Sequence, residues 1–202
     1  MKVIFDGDVM RTMQKALAPF VRKPERGRAD DMNCAIHYEV QNHVCTAVAL
    51  NGYEMLVCQA QCKTDVPAPD PVCFELMPVK IASNSFRVEI DIPTSTCFVY
   101  GLSNSAYTLT APKGDFMDWR KQLNRVVDGI NRTKAIDGYL PLFHLHPDRI
   151  QAIATAAKAV DPHHVSFWTD DFEVVIWKAE TDQIRLTGLA MPVFVKAKEA
   201  IR

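Results

Sequence analysis

The chain has 202 residues, a 48% apolar share and a formal net charge of −1. It is long enough for one large domain or two small ones with a real core. A whole-molecule basic field is excluded, so any nucleic-acid contact must come from a local patch. No apolar stretch approaches the roughly 20 residues that cross a bilayer, and the opening Met1–Asp6 lacks the apolar centre of a signal peptide. A cytoplasmic protein without membrane contact is expected. The six cysteines (Cys34, Cys45, Cys58, Cys62, Cys73, Cys97) are scattered, mostly inside apolar runs, and read as buried free thiols in a reducing compartment. Cys58 and Cys62 have no second pair to complete a zinc site.

Lys2 to Phe5 reads as a short strand. Asp8 offers an N-cap for a helix from Val9, with Val9, Met10, Met13, Ala16 and Leu17 on one face and Arg11 and Lys15 on the other. Pro19 stops that helix, and Arg22, Lys23, Arg26 and Arg28 follow in a polar loop. A strand over Cys34–Val40 precedes two apolar runs, Val44–Leu50 and Tyr53–Cys62, that flank Asn51-Gly52. Both turn residues tolerate positive φ, so this is a strong hairpin signal. Thr64–Pro71, with three prolines and two aspartates, is a loop.

Four strands are then expected, at Val72–Met77, Phe86–Ile92, Thr96–Leu102 and Ala106–Thr110, with a vestigial helix near Pro78–Ser83. Asp115–Ile130 changes to helical period: Trp119, Leu123, Val126, Val127 and Ile130 form the apolar stripe, and Lys121, Arg125 and Arg132 lie opposite. Tyr139–Leu145 is a strand. His146-Pro147-Asp148 opens a third helix that buries Ile150, Ile153, Ala154 and Ala157, shows Gln151, Ala152, Thr155 and Ala159 outward, and stops at Asp161-Pro162. Val165–Thr169, Glu173–Lys178 and Ile184–Leu189 complete the chain. The first and third units share one order: strand, helix, three strands.

Motifs for catalysis are missing. There is no phosphate-binding Gly-x4-Gly-Lys-Ser/Thr loop, no Gly-x-Gly-x2-Gly turn, no His-Glu-x2-His helix and no Gly-x-Ser-x-Gly elbow. The expectation is a non-enzyme with no metal and no cofactor. An α+β enzyme of unknown reaction is the rival outside the binding class, and a deep pocket with convergent polar groups would be its signature.

Repeated strand–helix–three-strand units resemble the bacterial DNA polymerase sliding clamp, the processivity β subunit. Three local segments carry the resemblance. Ala47 to Met55 is similar to the family's Val-Ala-Thr-Asp-Gly-(His/Tyr)-Arg-Leu hairpin, Gly114 to Trp119 resembles its Phe-Pro-Asp-Tyr segment, and Ala190-Met191-Pro192-Val193 resembles its Met-Pro-Met-Arg-Leu terminus. The family's subunit has three domains and is far longer. Glu54 stands where the family has Arg, Leu50 where it has Thr, and Phe194-Val195 where it has Arg-Leu.

The resemblance implies an α+β, DNA-clamp-like fold, with antiparallel sheets and helices on one face. It implies a partition into residues 1–114 and a partial unit 115–202, or else one clamp domain with residues 64–122 inserted. It also implies an apolar pocket for short peptides of polymerases and repair factors, formed by Gly52, Tyr53, Met55, Trp119, Met191, Pro192 and Val193. Double-stranded DNA would be met without sequence reading, weakly by a lone chain, through Arg11, Lys15, Arg22, Lys121 and Arg125. Homo-oligomers are expected to strengthen that contact. A rival within the fold is an interaction module that binds peptides or other clamp subunits and does not encircle DNA.

Overall fold

The hairpin around Asn51-Gly52 is the seed of the larger of two sheets. Its strands are β3 (Val44–Leu50) and β4 (Glu54–Gln61), paired antiparallel with Leu50 opposite Met55 and Val44 opposite Gln61. The computed structural model describes residues 1–23, 32–65, 70–109, 116–132, 145–170 and 174–192. Along these run β1 (Lys2–Asp6), α1 (Gly7–Leu17), β2 (Ile36–Gln41), β3, β4, β5 (Lys63–Thr64), β6 (Val72–Leu76), β7 (Arg87–Asp91), β8 (Thr96–Tyr100) and β9 (Ser105–Thr108). They continue with α2 (Trp119–Arg132), α3 (Pro147–Val160), β10 (Ser166–Asp170), β11 (Val174–Glu180) and β12 (Ile184–Ala190).

The strands form a five-stranded sheet, β5-β1-β7-β8-β9, and a seven-stranded sheet, β10-β11-β12-β4-β3-β2-β6. Every strand pair among the described residues is antiparallel. The join that closes the larger sheet is β4 on β12, with Ala60 opposite Ile184 and Glu54 opposite Ala190. It brings the first and third units side by side. The strands between them in sequence are placed outside this join: β6 lies on the far edge of β2, and β7 to β9 extend from β1.

Alternation along the strands of the larger sheet sorts its side chains onto two faces, as a period of two requires. Ala47, Ala49, Leu56, Cys58, Trp177, Leu186 and Ala190 face α1 and α3 in the main core, which continues through Val3, Phe5, Val88 and Ile90 of the smaller sheet. Val48, Leu50, Met55, Val57, Ile176 and Leu189 face the other way, into a second cluster with Trp119, Leu123 and Val126 of α2. Helices α1 and α3 therefore pack together on one face, and α2 covers the opposite one. The close fit on the first face is plainest at Gly188. It pairs with Trp177, and a Cβ there would lie 2.1 Å from the indole nitrogen.

Several local expectations are corrected. The cap of α1 is Asp6, whose carboxylate accepts from the Asp8 N–H at 3.0 Å; Asp8 lies in the first turn. The start moves forward because Gly7 runs against the backbone of Ser85 and Phe86, where a Cβ would be 2.1 Å from the Ser85 carbonyl oxygen. Pro78–Ser83 is not helical. Side chains of α1 satisfy its backbone instead: Gln14 accepts from the Val79 N–H at 3.2 Å, and Arg11 donates to the Ala82 and Ser83 carbonyls at 3.0 and 3.1 Å. In α3 the buried residues are Ala152, Ile153, Ala156, Ala157 and Val160, while Ile150 is exposed. An alanine-rich helix gives little contrast between faces, so its contact with α1 decides which side is covered. Residues 139–144 of the expected strand before α3 lie outside the described residues, as do Arg26 and Arg28.

Candidate functional site

The tip of the β3–β4 hairpin is rigidly built. Asn51 Oδ1 accepts from the N–H groups of Tyr53 and Glu54, both at 3.0 Å, and Gly52 takes a φ of +94°. That left-handed position suits glycine. The turn projects Tyr53, which is 64% exposed. The chain beyond β12 returns to the same place, where the Met191 N–H donates to the Tyr53 carbonyl at 3.1 Å. Arg149, in the first turn of α3, donates to the Met191 carbonyl and sits over the Tyr53 ring, 5.4 Å from its centroid.

Between this tip and α2 lies an open pocket of about 390 Å³. Leu50 and Met55 come from the hairpin, Val174 and Leu189 from the neighbouring strands, and Val126 from α2. Gly52, Tyr53, Glu54, Met117, Gln122, Arg125 and Met191 complete the lining. Met117 and Met191 are 42% and 46% exposed. Flexible thioethers beside an aromatic ring make a wall that adapts to apolar side chains.

Four of the seven residues expected at a peptide pocket, Gly52, Tyr53, Met55 and Met191, line this one. Trp119 does not; it is buried in the cluster beneath. Pro192 is buried next to Met191, and Val193 lies outside the described residues. Leu50, Met117, Val126, Val174 and Leu189 had no individual signal as pocket residues, because apolar positions in strands and helices look alike whether they face a core or a pocket.

Glu54 borders the pocket, but it alternates with Met55 and pairs with Ala190, which puts its side chain on the α1–α3 face beside Arg149. Asn51 Nδ2 donates to its Oε2 at 3.0 Å, and its Oε1 is buried with no hydrogen-bond partner. Burial pushes this carboxyl above its ordinary range, and the Asn51 amide and Arg149 only partly oppose the shift.

Glu39 is held in the opposite state on the α2 side of the sheet. Burial opposes its charge, but the Arg120 fork, the Trp119 indole N–H at 3.0 Å and His37 outweigh it, so its carboxyl stays below the usual range. Arg120 also stacks over Trp119, 4.3 Å from the ring centroid, and Phe116 stacks on His37 at 4.5 Å. These contacts fasten the start of α2 to β2. A carboxylate at Glu39, on the His37 side of an alternating strand, was the available sign that a cation would be needed there.

His37, Glu39 and Cys73 bring ligand atoms within 4.8 Å of one another. Both Glu39 oxygens already receive Arg120, however, and the His37 ring nitrogens lie 2.9 Å from Glu75 and 3.2 Å from Glu39. The guanidinium occupies the cation's place.

The five expected DNA contacts do not share a surface. Arg11 is turned onto the 82–83 backbone and Asp8, whereas Lys15 is exposed on α1. Arg22 is half-buried after α1, its N–H donating to the Asn33 carbonyl at 2.7 Å. Lys121 and Arg125 are exposed on α2, across the sheet from α1, and Arg125 lines the pocket.

Two antiparallel sheets with the helix pair α1–α3 on them and the β4–β12 join make the architecture of a sliding clamp. No family model matches the sequence, and no curated protein does. Among solved structures, the Pseudomonas aeruginosa DNA polymerase III subunit beta bound to griselimycin is similar with a TM-score of 0.66 at 12% identity, over 96% of this chain and 66% of that one. The Bacillus subtilis DNA polymerase sliding clamp gives 0.66 at 10% identity, over 97% and 65%. The Helicobacter pylori beta clamp bound to a DNA ligase peptide gives 0.55 at 10%, over 100% and 70%. This chain spans about two thirds of the length of these clamps.

Proposed function

We propose that this chain is a non-catalytic, sliding-clamp-type accessory protein of DNA replication or repair, and that its working part is the pocket at the β3–β4 turn. A short apolar peptide of a DNA polymerase or another replication or repair protein would dock between the Tyr53 tip, Met191 and α2. The observation that carries this reading is the convergence of three distant segments, the hairpin, the residues after β12 and the start of α2, on one open apolar pocket. All three are the segments through which the sequence resembles the clamp family. Two of the structurally similar clamps are themselves bound to griselimycin and to a DNA ligase peptide.

Panning a displayed library of random twelve-residue peptides tests the proposal. Peptides enriched on the wild type should lose most of their binding to the double variant Tyr53→Ala, Met191→Ala. Both positions are exposed, so the fold should survive. Equal retention by the two proteins would reject the pocket.

DNA contact is the second reading, and Lys15 with Lys158, both exposed on the α1–α3 side, favours a weak form of it. Two such lysines meet few phosphates, so firm binding to duplex DNA would require several copies of the chain in an assembly. The same reading treats the first and third units as one clamp domain with residues 64–122 inserted. The β4–β12 join, which crosses the 114/115 division, supports that partition.

A further inference from the structure

We propose that His37, Glu39 and Cys73 form a Zn²⁺ site, which takes up the ion in exchange for the Arg120 guanidinium while Glu75 orients His37. This site is independent of the peptide pocket. Its basis is strand register. β2 pairs antiparallel with the edge strand β6, with His37 opposite Glu75 and Glu39 opposite Cys73. Residues two apart in a strand share a face, and directly opposite ones stand about 5 Å apart at Cβ. The four side chains thus make a square on the α2 side of the sheet. They line an open pocket of about 370 Å³ together with Phe116, Trp119 and Arg120. Ligand atoms of His37, Glu39 and Cys73 lie within 4.8 Å of one another, the only such group among the described residues. An imidazole nitrogen, a thiolate and a carboxylate oxygen are a zinc donor set.

His37 carries the strongest sign of a missing cation. One ring nitrogen, Nδ1, lies 2.9 Å from Glu75 and the other, Nε2, 3.2 Å from Glu39. A neutral imidazole has a single N–H. Whichever carboxylate receives it, the other nitrogen turns a lone pair on a carboxylate oxygen, a contact that only a proton or a metal ion makes favourable. The Glu75 contact is the shorter. With Nδ1–H given to Glu75, Nε2 is free to bind a metal beside Glu39, in the carboxylate–histidine–metal arrangement that fixes a ligating ring. Phe116, stacked on the ring at 4.5 Å, holds it in that plane.

Arg120 fills the cation's position from the outside. Its side chain is 55% exposed, against 10% for Glu39, so the fork can swing into solvent while the carboxylate stays. The Trp119 N–H, 3.0 Å from Oε1, can remain there while the ion takes Oε2, where Arg120 now donates. Cys73 is exposed, which leaves the ion a way in. Its thiol gives its proton to solvent as the thiolate binds.

The test uses the full-length chain, reduced and stripped with EDTA. Co²⁺ is titrated for its thiolate absorption band, and Zn²⁺ is titrated in competition with a chromophoric chelator. The proteins are wild type, Cys73→Ser, Glu75→Gln and Arg120→Ala. Wild type should take up one ion per chain, with a cobalt–thiolate band that Zn²⁺ abolishes. Cys73→Ser should lose the band. The position is exposed, so the fold should survive, and the buried cysteines stay as an internal control. Glu75→Gln should keep the band and bind about tenfold more weakly. Arg120→Ala should bind about tenfold more tightly, because the competing charge-assisted fork is gone; loss of a merely structural contact would not raise affinity. The site is overturned if neither wild type nor Arg120→Ala takes up the ion, or if Cys73→Ser keeps the band. Zn²⁺ binding no tighter in Arg120→Ala than in wild type would overturn the exchange.

Discussion

The two faces of the seven-stranded sheet are built on opposite principles. On the α1–α3 face, Trp177, Leu56, Met10, Met13 and Leu17 are buried completely, and a tryptophan lies flat on a glycine. Even Arg11, which composition marks as a surface charge, turns inward to a loop backbone. On the α2 face, a smaller cluster grades into an open pocket with Tyr53, Met117 and Met191 exposed. One face spends its side chains on closure, and the other leaves apolar area uncovered. A clamp fold thus supplies a rigid frame, and the proposed peptide recognition falls on the side where packing is incomplete.

The largest expected effect separates the faces by what each holds. Trp119→Ala should cost about 3–5 kcal/mol, the usual range for removing a buried large aromatic. The loss should appear first as proteolysis and fast hydrogen exchange within 116–132, with the strands still protected, because Trp119 and Arg120 fasten the start of α2 ahead of Leu123 and Val126. Uniform loss of protection across both sheets would show that the two faces are not separate units. Next comes Gly188→Ala, which forces Trp177 from its place. A cost of about 1–3 kcal/mol is expected from overpacking, measured by urea unfolding, and here all elements should melt together.

Two buried carboxylates, Glu39 on the α2 face and Glu54 on the α1–α3 face, should respond to acid with opposite sign. Glu39 is held below its ordinary range, so its folded form prefers the charge. Its contribution is present at neutral pH and is lost as pH falls from the unfolded carboxyl value through the lower folded one. Glu54 is pushed upward by burial, so its folded form binds a proton more readily than the unfolded chain does. The handicap it imposes is complete above its raised value and fades as pH falls toward the unfolded one. Melting curves should therefore show Glu39→Gln less stable than wild type at neutral pH, with the gap closing in acid. Glu54→Gln should be equal or slightly more stable at neutral pH, by about 1 kcal/mol or less, with that gap also closing in acid. A Glu54→Gln protein that is clearly destabilised at neutral pH would mean that the carboxylate has a structural partner beyond Asn51.

Much of the frame was legible in sequence. Asn51-Gly52 between apolar runs specified the hairpin, and Phe86 to Ile92 alternated between an apolar and a charged face, of which Val88 and Ile90 are buried as expected while Phe86 is exposed and Glu89 covered. The repeated unit order, with the three local segments, pointed to the clamp architecture. What stayed hidden was long-range. Nothing local announces that β4 pairs with β12 more than 120 residues on, or that α2 takes the far side of the sheet from α1. The stripe of Lys121 and Arg125 looked equivalent to that of Arg11 and Lys15, since helical period reports which residues share a face but not what the face meets. Of the pocket's residues, Gly52, Tyr53, Met55 and Met191 were accessible through the resemblance. Glu54 was visible only as a departure from it, and its unpaired oxygen required three dimensions.

The most direct measurement sets the two faces against each other in one assay. A peptide enriched by panning and a labelled duplex DNA are titrated at low and moderate salt into wild type, the double variant Tyr53→Ala, Met191→Ala, and the double variant Lys15→Glu, Lys158→Glu. The account predicts that the peptide binds wild type and the lysine variant alike and is lost from the pocket variant, while the duplex binds the lone chain weakly in every case. Tight duplex binding that falls steeply with salt and disappears with the two lysines, beside a peptide affinity indifferent to Tyr53 and Met191, would contradict it.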